Sequence, residues 1–415
     1  MSQLNYLEKL LDGVEVEWTT LGNEHAVEIA NSGRKPVKAA LRVAGETPYY
    51  GANNIQDYVD GYTHDGEFVL IAEDGSASLD NYSIQYATGR FWANNHVHVV
   101  RGKEGLNTRY LYHYLCIVNF VPFLSGGGRA KLTKGKLVDI PLPIPCPNNP
   151  EKSLAIQAEI VRILDAFTAM TAELTAELNM RKKQYNYYRD QLLSFDLSAD
   201  QAGEGDVEWK TLGWIGEVRM CKRIMKNETS DIGDIPFFKI GTFGKEPNAY
   251  ISRDVFEEYK SKYNYPRVGE VLISASGTIG RAVIFNGEDA YFQDSNIVWL
   301  ENDESKVLNK YLFYFYQIAN WNVSDGGVIK RLYNDNIKKT LIPVPYPNEP
   351  EKSLAEQSRV VAILDKFETL TTSIQEGLPR EIELRQKQYE YYRDLLLSFP
   401  ASPAGGPKSH SYEAA

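Results

Sequence analysis

The chain has 415 residues, of which 43% are hydrophobic and 24% are charged, and its formal net charge is −10 at pH 7. This length exceeds what one hydrophobic core usually serves, so we expect two or more domains, and the ordinary composition excludes a wholly disordered or fibrous protein. The acidic balance argues against a protein that coats nucleic acid without sequence preference, because such proteins are usually basic.

No segment is long and apolar enough to span a membrane, and the N-terminus lacks the pattern of a secretory signal. The cysteines are far apart in the sequence and form no CxxC pair, so the sequence predicts neither a disulfide framework nor a structural zinc site. The cysteines are Cys116, Cys146 and Cys221. We therefore expect a protein of the reducing cytoplasm.

The chain repeats itself with a period of about 200 residues. A Glu-Trp segment opens each copy, a proline-rich segment follows, and a tyrosine-rich segment closes it. The paired segments are residues 16–22 with 207–213, 142–155 with 342–355, and 184–190 with 388–394. Because this period is too long for a solenoid, we infer the tandem duplication of a whole module.

Each copy contains a divergent part followed by a tail that closely matches the tail of the other copy. The divergent parts, residues 23–140 and 214–340, share little sequence. Short apolar runs between Gly, Asp and Asn turns predict strands there, and two longer apolar runs predict short buried helices. The predicted strands are residues 68–72, 96–100, 270–274 and 296–300, and the predicted helices are residues 110–117 and 310–318. Each copy is therefore predicted to carry a domain of mixed α and β structure.

Each divergent part ends in a segment with a proline at every second position, residues 141–145 in the first copy and 343–347 in the second. Proline removes a backbone donor and restricts the residue before it, so these segments cannot be helical. We expect them to be extended connectors.

A long helix is predicted after each connector. In the first copy, apolar residues recur at alternating steps of four and three from Ile160 to Phe195, which is a heptad seam that requires a partner helix. Arg181 is the one charged position of this seam. In the second copy an additional step of four falls near Gly377 and Pro379, which predicts a kink or break there.

The obvious partner for one seam is the other, and antiparallel pairing is expected because a whole domain lies between the two helices in the sequence. The same apolar positions could instead contact another subunit. The positions expected at this spacer or subunit interface are Leu164, Phe167, Leu174, Leu178, Tyr185, Tyr188, Leu364, Phe367, Ile374, Leu378, Tyr389 and Tyr392.

The sequence carries no recognisable catalytic motif. It has no phosphate-binding loop, dinucleotide fingerprint, zinc-protease motif or nucleophile elbow, and no methyltransferase tetrad or nuclease cluster stands out. His96 and His98, with His113 downstream, fit either a metal site or strand histidines held by hydrogen bonds. We favour the second interpretation because the second copy has no counterpart, and we predict a DNA reader or scaffold without a bound metal.

Each divergent part also ends in a glycine pair followed by cations. Glycines let a backbone approach a phosphate closely, and Arg and Lys neutralise phosphates or read guanine edges. The alternative is an ordinary loop beside a solvated basic helix face. Two further segments, one carrying amides and one rich in small residues, also fit base contact. The candidate DNA-binding residues are Tyr50, Asn53, Asn54, Arg129, Lys131, Lys134, Ser276, Thr278, Arg281, Lys330, Arg331, Tyr333 and Asn334.

Together these segments resemble the specificity subunit of a type I restriction-modification enzyme, and the resemblance covers essentially the whole chain. It is carried by the duplicated Glu-Trp…Leu-Gly entry, the Ile-Pro-x-Pro exit, the Leu-Ala-x-Gln…Ile-Leu-Asp helix start and the Gln-Tyr-x-Tyr-Tyr-Arg-Asp ending. Residues 171–178 read Thr-Ala-Glu-Leu twice, which is similar to the central repeat of the subfamily in which repeat number changes the spacing of the DNA site. Four added residues lengthen a helix by about 6 Å, comparable with one to two base-pair steps.

The resemblance implies an α+β protein with an internal pseudo-twofold repeat. Two mixed α/β target-recognition domains, separated by two long helices paired as an antiparallel coiled coil, would each read one half of a bipartite, asymmetric DNA sequence. The predicted parts are recognition domains at residues 1–150 and 201–350, spacer helices at 151–200 and 351–399, and a disordered tail at 400–415.

The partners that the resemblance implies are double-stranded DNA, two modification subunits and two restriction subunits. Those partners would use S-adenosylmethionine, ATP and Mg, whereas this chain would bind no cofactor and catalyse nothing. Two alternatives remain open at this point. One is a nuclease or methyltransferase with attached reading domains, and the other is a non-enzymatic coiled-coil adaptor or DNA-mimicking inhibitor, which the net charge of −10 would suit.

Overall fold

The structure is a computed structural model, and it groups the chain into two compact units. It describes residue 10 and residues 13–126, 130–194, 207–321, 323, 330–373 and 375–399. Unit 1 comprises residues 1–174 and 381–415, and unit 2 comprises residues 175–380. Within the described ranges, none of the helices combines the length and apolar character needed to cross a membrane.

The first repeat supplies most of unit 1, which contains two four-stranded sheets and a two-stranded ribbon. Its strands are β1 (Val16–Thr20), β2 (Val27–Ile29), β3 (Ala44–Tyr50), β4 (Ile55–Val59), β5 (His64–Asp65), β6 (Phe68–Ala72), β7 (Ile84–Ala87), β8 (Arg90–Ala93), β9 (Val97–Gly102) and β10 (Pro141–Pro145). One sheet has the antiparallel order β2-β9-β6-β7, and the other has the order β4-β3-β8-β5 with a parallel β3–β8 pair.

The helices of the first repeat are α1 (Thr108–Leu115), α2 (Lys134–Leu137) and α3 (Pro150–Ser194), with short 3-10 helices at Asn31–Gly33, Ala39–Leu41 and Val121–Phe123. The division into units falls inside α3, so that its residues to Leu174 belong to unit 1 and its later residues to unit 2.

Unit 2 repeats this plan with shorter strands. Its strands are β11 (Val207–Thr211), β12 (Gly216–Arg219), β13 (Ile235–Phe238), β14 (Tyr250–Ile251), β15 (Val271–Ser274), β16 (Ala282–Ile284), β17 (Tyr291–Phe292), β18 (Ile297–Asn302) and β19 (Leu341–Pro345). The sheet orders are β12-β18-β15-β16 and β14-β13-β17. The helices are α4 (Leu212–Ile215), α5 (Arg253–Lys262), α6 (Asn309–Tyr316), α7 (Asn334–Lys339) and α8 (Pro350–Thr372), with a 3-10 helix at Lys226–Glu228. The last helix of the chain, α9 (Leu378–Leu397), belongs to unit 1 from Glu381 onward.

The predicted α+β class is confirmed, with a mixed α/β domain in each repeat. The five residues of β6 are all buried, as the apolar run in the sequence predicts. In unit 1, α1 buries Tyr110 and Leu111 in the same core as Ile160 and Leu164 of the long helix. In unit 2, α6, β15 and α8 share the equivalent core.

The proline-rich exits are extended, as the sequence predicts, and they are also paired strands, which the sequence did not predict. In unit 1, β10 pairs antiparallel with the entry strand β1, so that Trp18 lies opposite Pro143, and in unit 2 β19 pairs with β11 so that Trp209 lies opposite Pro343. Successive residues of a strand direct their backbone groups to opposite edges. A proline at every second position therefore places all the missing donors on the outer edge and leaves the residues between them to bond β1 or β11.

A buried glutamine fastens each long helix to the domain that precedes it. Gln157 is fully buried, its Oε1 accepts from the Asn107 amide at 2.8 Å, and its Nε2 donates to the Gly105 carbonyl at 3.0 Å. In unit 2, Gln357 accepts from the Leu308 amide at 2.9 Å and donates to the Lys306 carbonyl at 3.0 Å. These glutamines belong to the repeated Leu-Ala-x-Gln motif, which thereby acquires a structural role.

A carboxylate two helical turns later makes the second attachment. Asp165 of α3 accepts from Arg109 and His113 of α1, each at 2.8 Å. Burial alone would raise the pKa of Asp165, but the hydrogen bonds from these two side chains outweigh burial and lower it below its ordinary value. In unit 2, Asp365 accepts from Lys310 at 3.0 Å and from the Tyr314 hydroxyl.

The predicted antiparallel pairing of the helices is present within each unit. In unit 1, Phe167 of α3 stacks on Tyr392 of α9 with centroids 5.2 Å apart. The earlier Ile160 of α3 shares a core with Leu396, which follows Tyr392, so the two helices run in opposite directions.

Unit 2 repeats this arrangement with the roles of the copies exchanged. Tyr188 of α3 stacks on Phe367 of α8 at 5.5 Å, and the later Leu193 shares a core with the earlier Val360. Tyr185 also faces Phe367, at 6.5 Å. The remaining predicted interface positions Leu174, Leu178, Leu378 and Tyr389 are half-buried, Leu364 is buried, and Ile374 lies outside the described residues, as does Phe195 at the end of the predicted seam.

The predicted break in the second long helix is also present, between Thr372 and Leu378. At Gly377 a Cβ atom would lie 2.4 Å from the Thr369 carbonyl oxygen, so a larger residue could not take this close approach. Pro379 then falls in the first turn of α9, where its missing donor costs nothing. The predicted domain boundaries stay predictions, and residues 400–415 lie outside the described ranges.

We predict that Gln157→Leu destabilises unit 1 by about 2–4 kcal/mol, because it leaves the Asn107 amide and the Gly105 carbonyl buried without partners. Urea denaturation of the purified chain measures this loss. The matched control is Gln191→Leu, an exposed glutamine of the same helix. Equal stability of the two variants would contradict the role that we assign to Gln157.

Candidate nucleic-acid interface

In unit 1, three segments that are distant in sequence meet at the end of β6. The Glu73 amide donates to the His96 carbonyl at 2.8 Å, and the Leu132 amide donates to the Glu73 carbonyl at 2.7 Å. Isolated bridges also join Lys131 to Asp74 and to Ser125. We call residues 73–77, 94–96 and 130–132 the loop cluster of unit 1.

The same backbone arrangement recurs in unit 2. The Ala275 amide donates to the Asn296 carbonyl at 2.7 Å, and the Leu332 amide donates to the Ala275 carbonyl at 2.8 Å. An isolated bridge joins Ser276 to Arg331. Residues 274–281, 294–296 and 330–332 form the loop cluster of unit 2. The two clusters are thus equivalent in backbone although their side chains differ.

Each cluster lies at the far end of a strand from the glutamine attachment. In unit 1, β9 begins immediately after His96 and ends at Gly102, shortly before the Gly105 carbonyl that Gln157 binds. In unit 2, β18 begins after Asn296 and ends before the Lys306 carbonyl that Gln357 binds. Six residues of strand cover about 20 Å, so each cluster is held away from its long helix.

The amide-rich segment of the first repeat is used inside the protein. Asn53 donates from Nδ2 to the Gly75 carbonyl and accepts at Oδ1 from the Ala77 amide, each at 2.8 Å. Asn54 accepts from the next backbone amide, that of Ile55, at 2.8 Å. Tyr50 packs edge-on against Phe91 at 5.9 Å, and burial raises the pKa of its hydroxyl. Asn53 therefore shapes the loop cluster of unit 1, and contact of its amide with a base stays a prediction.

The cations of the first repeat have different surroundings. Lys131 pairs with Glu73 at 3.0 Å while its side chain stays about half exposed. Lys134 is exposed at the first position of α2. Arg129 lies outside the described residues.

Glu73 is the centre of a charged network that the sequence did not reveal. Arg34 approaches its carboxylate at 2.6 Å and also donates to the Val97 carbonyl at 2.8 Å. Burial alone would raise the pKa of Glu73, but the hydrogen bonds from Arg34 and Lys131 outweigh burial and lower it below its ordinary value. The only signal in the sequence was an acidic pair and a glycine directly after a buried strand.

The buried His98 joins the Leu132 backbone, next to Lys131, to Asn31. Its Nε2 donates to the Leu132 carbonyl at 2.7 Å, and its Nδ1 accepts from Asn31 at 3.0 Å. Burial lowers the pKa of His98, so the ring is neutral at pH 7 with its proton on Nε2.

The other two histidines that fitted a metal site lie in separate surroundings. His96 bonds Asp74 at 2.6 Å, whereas His113 bonds Asp165 at 2.8 Å. Within the part of the chain that the structure describes, no three His, Cys, Asp or Glu side chains group as a metal site would require.

In unit 2 the predicted arginines hold backbone. Arg331 donates from Nη2 to the Ser295 carbonyl, and Arg281 donates from Nη1 to the Phe243 carbonyl, each at 2.9 Å. Ser276 donates to the side-chain oxygen of Asn296 at 2.8 Å. The Thr278 carbonyl accepts from the Ser274 hydroxyl. Of the residues that the sequence predicted here, Thr278, Lys330, Tyr333 and Asn334 are exposed.

The long helices carry a second kind of surface, which is duplicated. In unit 2, Met180 is 46% exposed and Tyr187 is 61% exposed on α3. In unit 1, the equivalent residues Leu384 and Tyr391 of α9 are 39% and 45% exposed. Each pair lies beside an intrahelical Arg–Glu ion pair, Arg181 with Glu177 at 2.6 Å and Arg385 with Glu381 at 2.7 Å. We call these two surfaces the helix patches.

Comparison with known proteins gives consistent results. A family model described as the type I restriction modification DNA specificity domain matches residues 15–181 and 204–384. A type I restriction enzyme specificity subunit of Haemophilus influenzae is 62% identical over 402 residues, covering 95% of this chain and 98% of that protein. A type I restriction enzyme specificity subunit of Escherichia coli is 37% identical over 427 residues, covering 96% and 98%.

Solved structures share the fold at low sequence identity. The S subunit of a type I restriction-modification system from M. genitalium superposes with a TM-score of 0.57 at 14% identity, covering 94% of this chain and 98% of that chain. A chain from a structure on complex assembly and conformational transition of the type I R-M system gives a TM-score of 0.51 at 14% identity, covering 92% and 97%.

We predict that Glu73→Gln lowers the stability of unit 1 by about 1–3 kcal/mol at pH 7, because Arg34 and Lys131 lose their ionic partner. The lowered pKa of Glu73 means that the native carboxylate stabilises the fold above the unfolded pKa of about 4.3, and that this contribution is lost as pH falls through the lower folded value. Denaturation at pH 7 and at successively lower pH should therefore show a difference that shrinks as the pH falls below the unfolded pKa.

The control is Glu104→Gln, an exposed carboxylate in the turn between β9 and α1. A deficit of Glu73→Gln that persists unchanged in acid would show that shape, and not charge, accounts for the role of Glu73.

Proposed function

The chain belongs to the type I restriction-modification specificity-subunit family, and from this premise we propose that its two recognition domains each bind one half of a bipartite DNA sequence. As a specificity subunit it is the non-catalytic DNA-recognition component of its complex. Family membership favours this function over an adaptor or a DNA-mimicking inhibitor, and over an enzyme with attached reading domains.

The observation that carries the proposal is the pair of loop clusters. Both clusters are built on the same backbone hydrogen bonds, yet the equivalent side chains differ: Asp74 and His96 in unit 1 correspond to Ser276 and Asn296 in unit 2. Sequence is read through the donors and acceptors that side chains present to base edges. Two equivalent scaffolds with different side chains suit two different half-sites.

The acidic net charge is compatible with this function if partners supply part of the phosphate binding. We propose that the chain acts in a complex with modification subunits and restriction subunits, in the cytoplasm, where DNA is available. The S-adenosylmethionine, ATP and Mg of that complex would be used by the partners, and this chain would bind none of them.

The number of modification subunits is proposed to be two, because the helix patches occur twice. Exposed aromatic and apolar residues with charged neighbours are the usual composition of a protein interface. Met180 and Tyr187 form one patch, and Leu384 and Tyr391 form the other at equivalent positions of the repeat. Two equivalent patches suit two copies of one partner.

We predict that Tyr187→Ser or Tyr391→Ser alone leaves one modification subunit bound, and that the double variant binds none. The physical reason is the loss of a large exposed aromatic anchor from one patch or from both. Native mass spectrometry of the reconstituted complex measures the stoichiometry. Tyr58→Ser, which removes an exposed tyrosine on β4, is the control. Loss of both subunits from each single variant would contradict two independent sites.

The central test of the function exchanges residues 23–140 for the matching segment of a relative with another target. The complex with modification subunits is then used to methylate genomic DNA, and the methylated adenines are mapped. We expect the bases of one half-site to change while the other half-site and the gap stay the same. A change in both halves would contradict the proposal.

The companion test leaves both domains intact and inserts a third Thr-Ala-Glu-Leu after Leu178. We propose that this repeat sets the spacing, since residues 171–178 lie inside the continuous helix α3 and the insertion adds about 6 Å of helix. The mapped half-sites should keep their bases while the gap between them lengthens. An unchanged gap would contradict the spacer role and would leave DNA recognition by the domains untouched.

A further inference from the structure

One residue in each unit lies at an equivalent position, directly before an equivalent strand of the repeat. His96 precedes β9, and its carbonyl accepts from the residue that follows β6; Asn296 precedes β18, and its carbonyl accepts from the residue that follows β15. The flanking sequences differ, and the alignment of the two residues emerges only from these backbone hydrogen bonds. Equivalent positions with unlike side chains are where two half-sites can be told apart.

In unit 1, a carboxylate fixes the direction of the imidazole. The Nδ1 of His96 lies 2.6 Å from the Asp74 carboxylate, and the side chain is 41% exposed. The His96 amide also donates to the Asn94 side chain at 2.8 Å, which fixes the backbone at this point. In the tautomer whose single ring proton lies on Nδ1 and is donated to the carboxylate, Nε2 is an acceptor on the opposite edge.

In unit 2, a hydroxyl fixes the direction of an amide. Ser276 donates to Oδ1 of Asn296 at 2.8 Å, which identifies the oxygen and leaves Nδ2 to present two donors. No other residue in the described ranges bonds this Nδ2. Asn296 therefore presents donors at the position where His96 presents an acceptor.

Backbone strain marks the same point of unit 2. Ser295 adopts a left-handed backbone conformation with φ of +59°, which residues other than glycine rarely adopt. Arg331 donates to the carbonyl of this residue at 2.9 Å and holds it there. Strain of this kind persists where the surrounding structure imposes it, and it concentrates at functional sites. Arg331 thus acts on the backbone next to Asn296.

We propose that His96 and Asn296 are the specificity-determining residues of the two domains, and that Asp74 and Ser276 are their positioning residues. This inference rests on the proposed function, because it names the side chains that read the two half-sites. It also gives Arg331 and Arg281 a positioning role, in place of the base contact that their sequence suggested.

We call His96 and Asn296 the readers of the two domains. The two readers are expected to select different base edges in the major groove. An acceptor at Nε2 of His96 pairs with the amino group of cytosine or adenine, whereas the donors of Asn296 pair with acceptors such as guanine O6 and N7 or thymine O4. Each domain is therefore expected to owe at least one base of its half-site to this residue.

The test replaces each reader by the other, His96→Asn in one variant and Asn296→His in a second. Methylation rates of the complex are measured on duplexes that carry each of the four base pairs at every position of the mapped site. We expect preference for the native base to fall about 10- to 100-fold at one position of one half-site, a different half for each variant. The other half-site should be unaffected.

The matched control is His25→Asn in unit 1. His25 is exposed and lines a surface depression together with Gly105 and Ser153, next to the Gln157 attachment and at the opposite end of the domain from His96. The same chemical change at this position should leave the base preference intact. A loss of preference in His25→Asn equal to that in His96→Asn would overturn the proposal.

The positioning role of Asp74 has its own readout. Asp74→Asn keeps an acceptor for the His96 Nδ1 proton and should retain the native base preference, whereas Asp74→Ala removes the acceptor and should relax that preference. A structural defect would instead lower the rate on all duplexes equally, and that result in both Asp74→Ala and Ser276→Ala would overturn the positioning role.

The inference and the proposed function fail in different ways. If both reader variants keep the native preference while the exchange of residues 23–140 changes one half-site, the readers are wrong and the function stands. If the wild-type complex shows no preference among the duplexes, both are wrong. A fall in preference confined to the half-site of the altered domain supports both.

Discussion

The buried glutamine at the start of each long helix is the interaction on which the rest of the structure depends. On the domain side, Gln157 and Gln357 bond only backbone groups: the Gly105 carbonyl and Asn107 amide in unit 1, and the Lys306 carbonyl and Leu308 amide in unit 2. Every residue other than proline carries the same backbone amide and carbonyl, whatever its side chain. The domain sequence can therefore change almost completely while its attachment to the helix is preserved.

This explains why the two repeats differ in some segments and match in others. The matching segments contact one another or backbone, as in the ribbon of β1 and β10 and in the stacked pairs Phe167–Tyr392 and Tyr188–Phe367. Each of those stacked pairs joins a residue from the helix start of one repeat to a residue from the helix end of the other. A change in either partner alters a core shared by both repeats. The loop clusters lie at the other end of β9 and β18 from the helix attachments and are free to differ.

The sequence predicted the fold in those parts where one segment determines its own structure. Hydrophobic spacing was sufficient for the buried strand β6, for the long helices and for the break near Gly377. It was not sufficient for the proline-rich exits, because their pairing depends on an entry strand that lies far away in sequence. The residues of the candidate interface were more difficult to predict from the sequence. Asn53, Arg281 and Arg331 have side chains that suit base contact, yet in the structure they bond groups of their own chain. The role of Glu73 depends on Arg34 and Lys131, which are distant from it in sequence.

The alternate prolines of β10 and β19 have a consequence for association between chains. A ribbon of two strands exposes unpaired backbone at its margins, and such margins invite the addition of a further strand and aggregation. Along the outer edge of β10 the backbone nitrogens belong to Pro141, Pro143 and Pro145, and along that of β19 Pro343 and Pro345 follow Leu341. The Pro143 and Pro343 carbonyls accept from the Tyr110 and Tyr311 hydroxyls at 3.0 Å. The proline edge of each ribbon is thereby unsuited to accept a further strand from another chain.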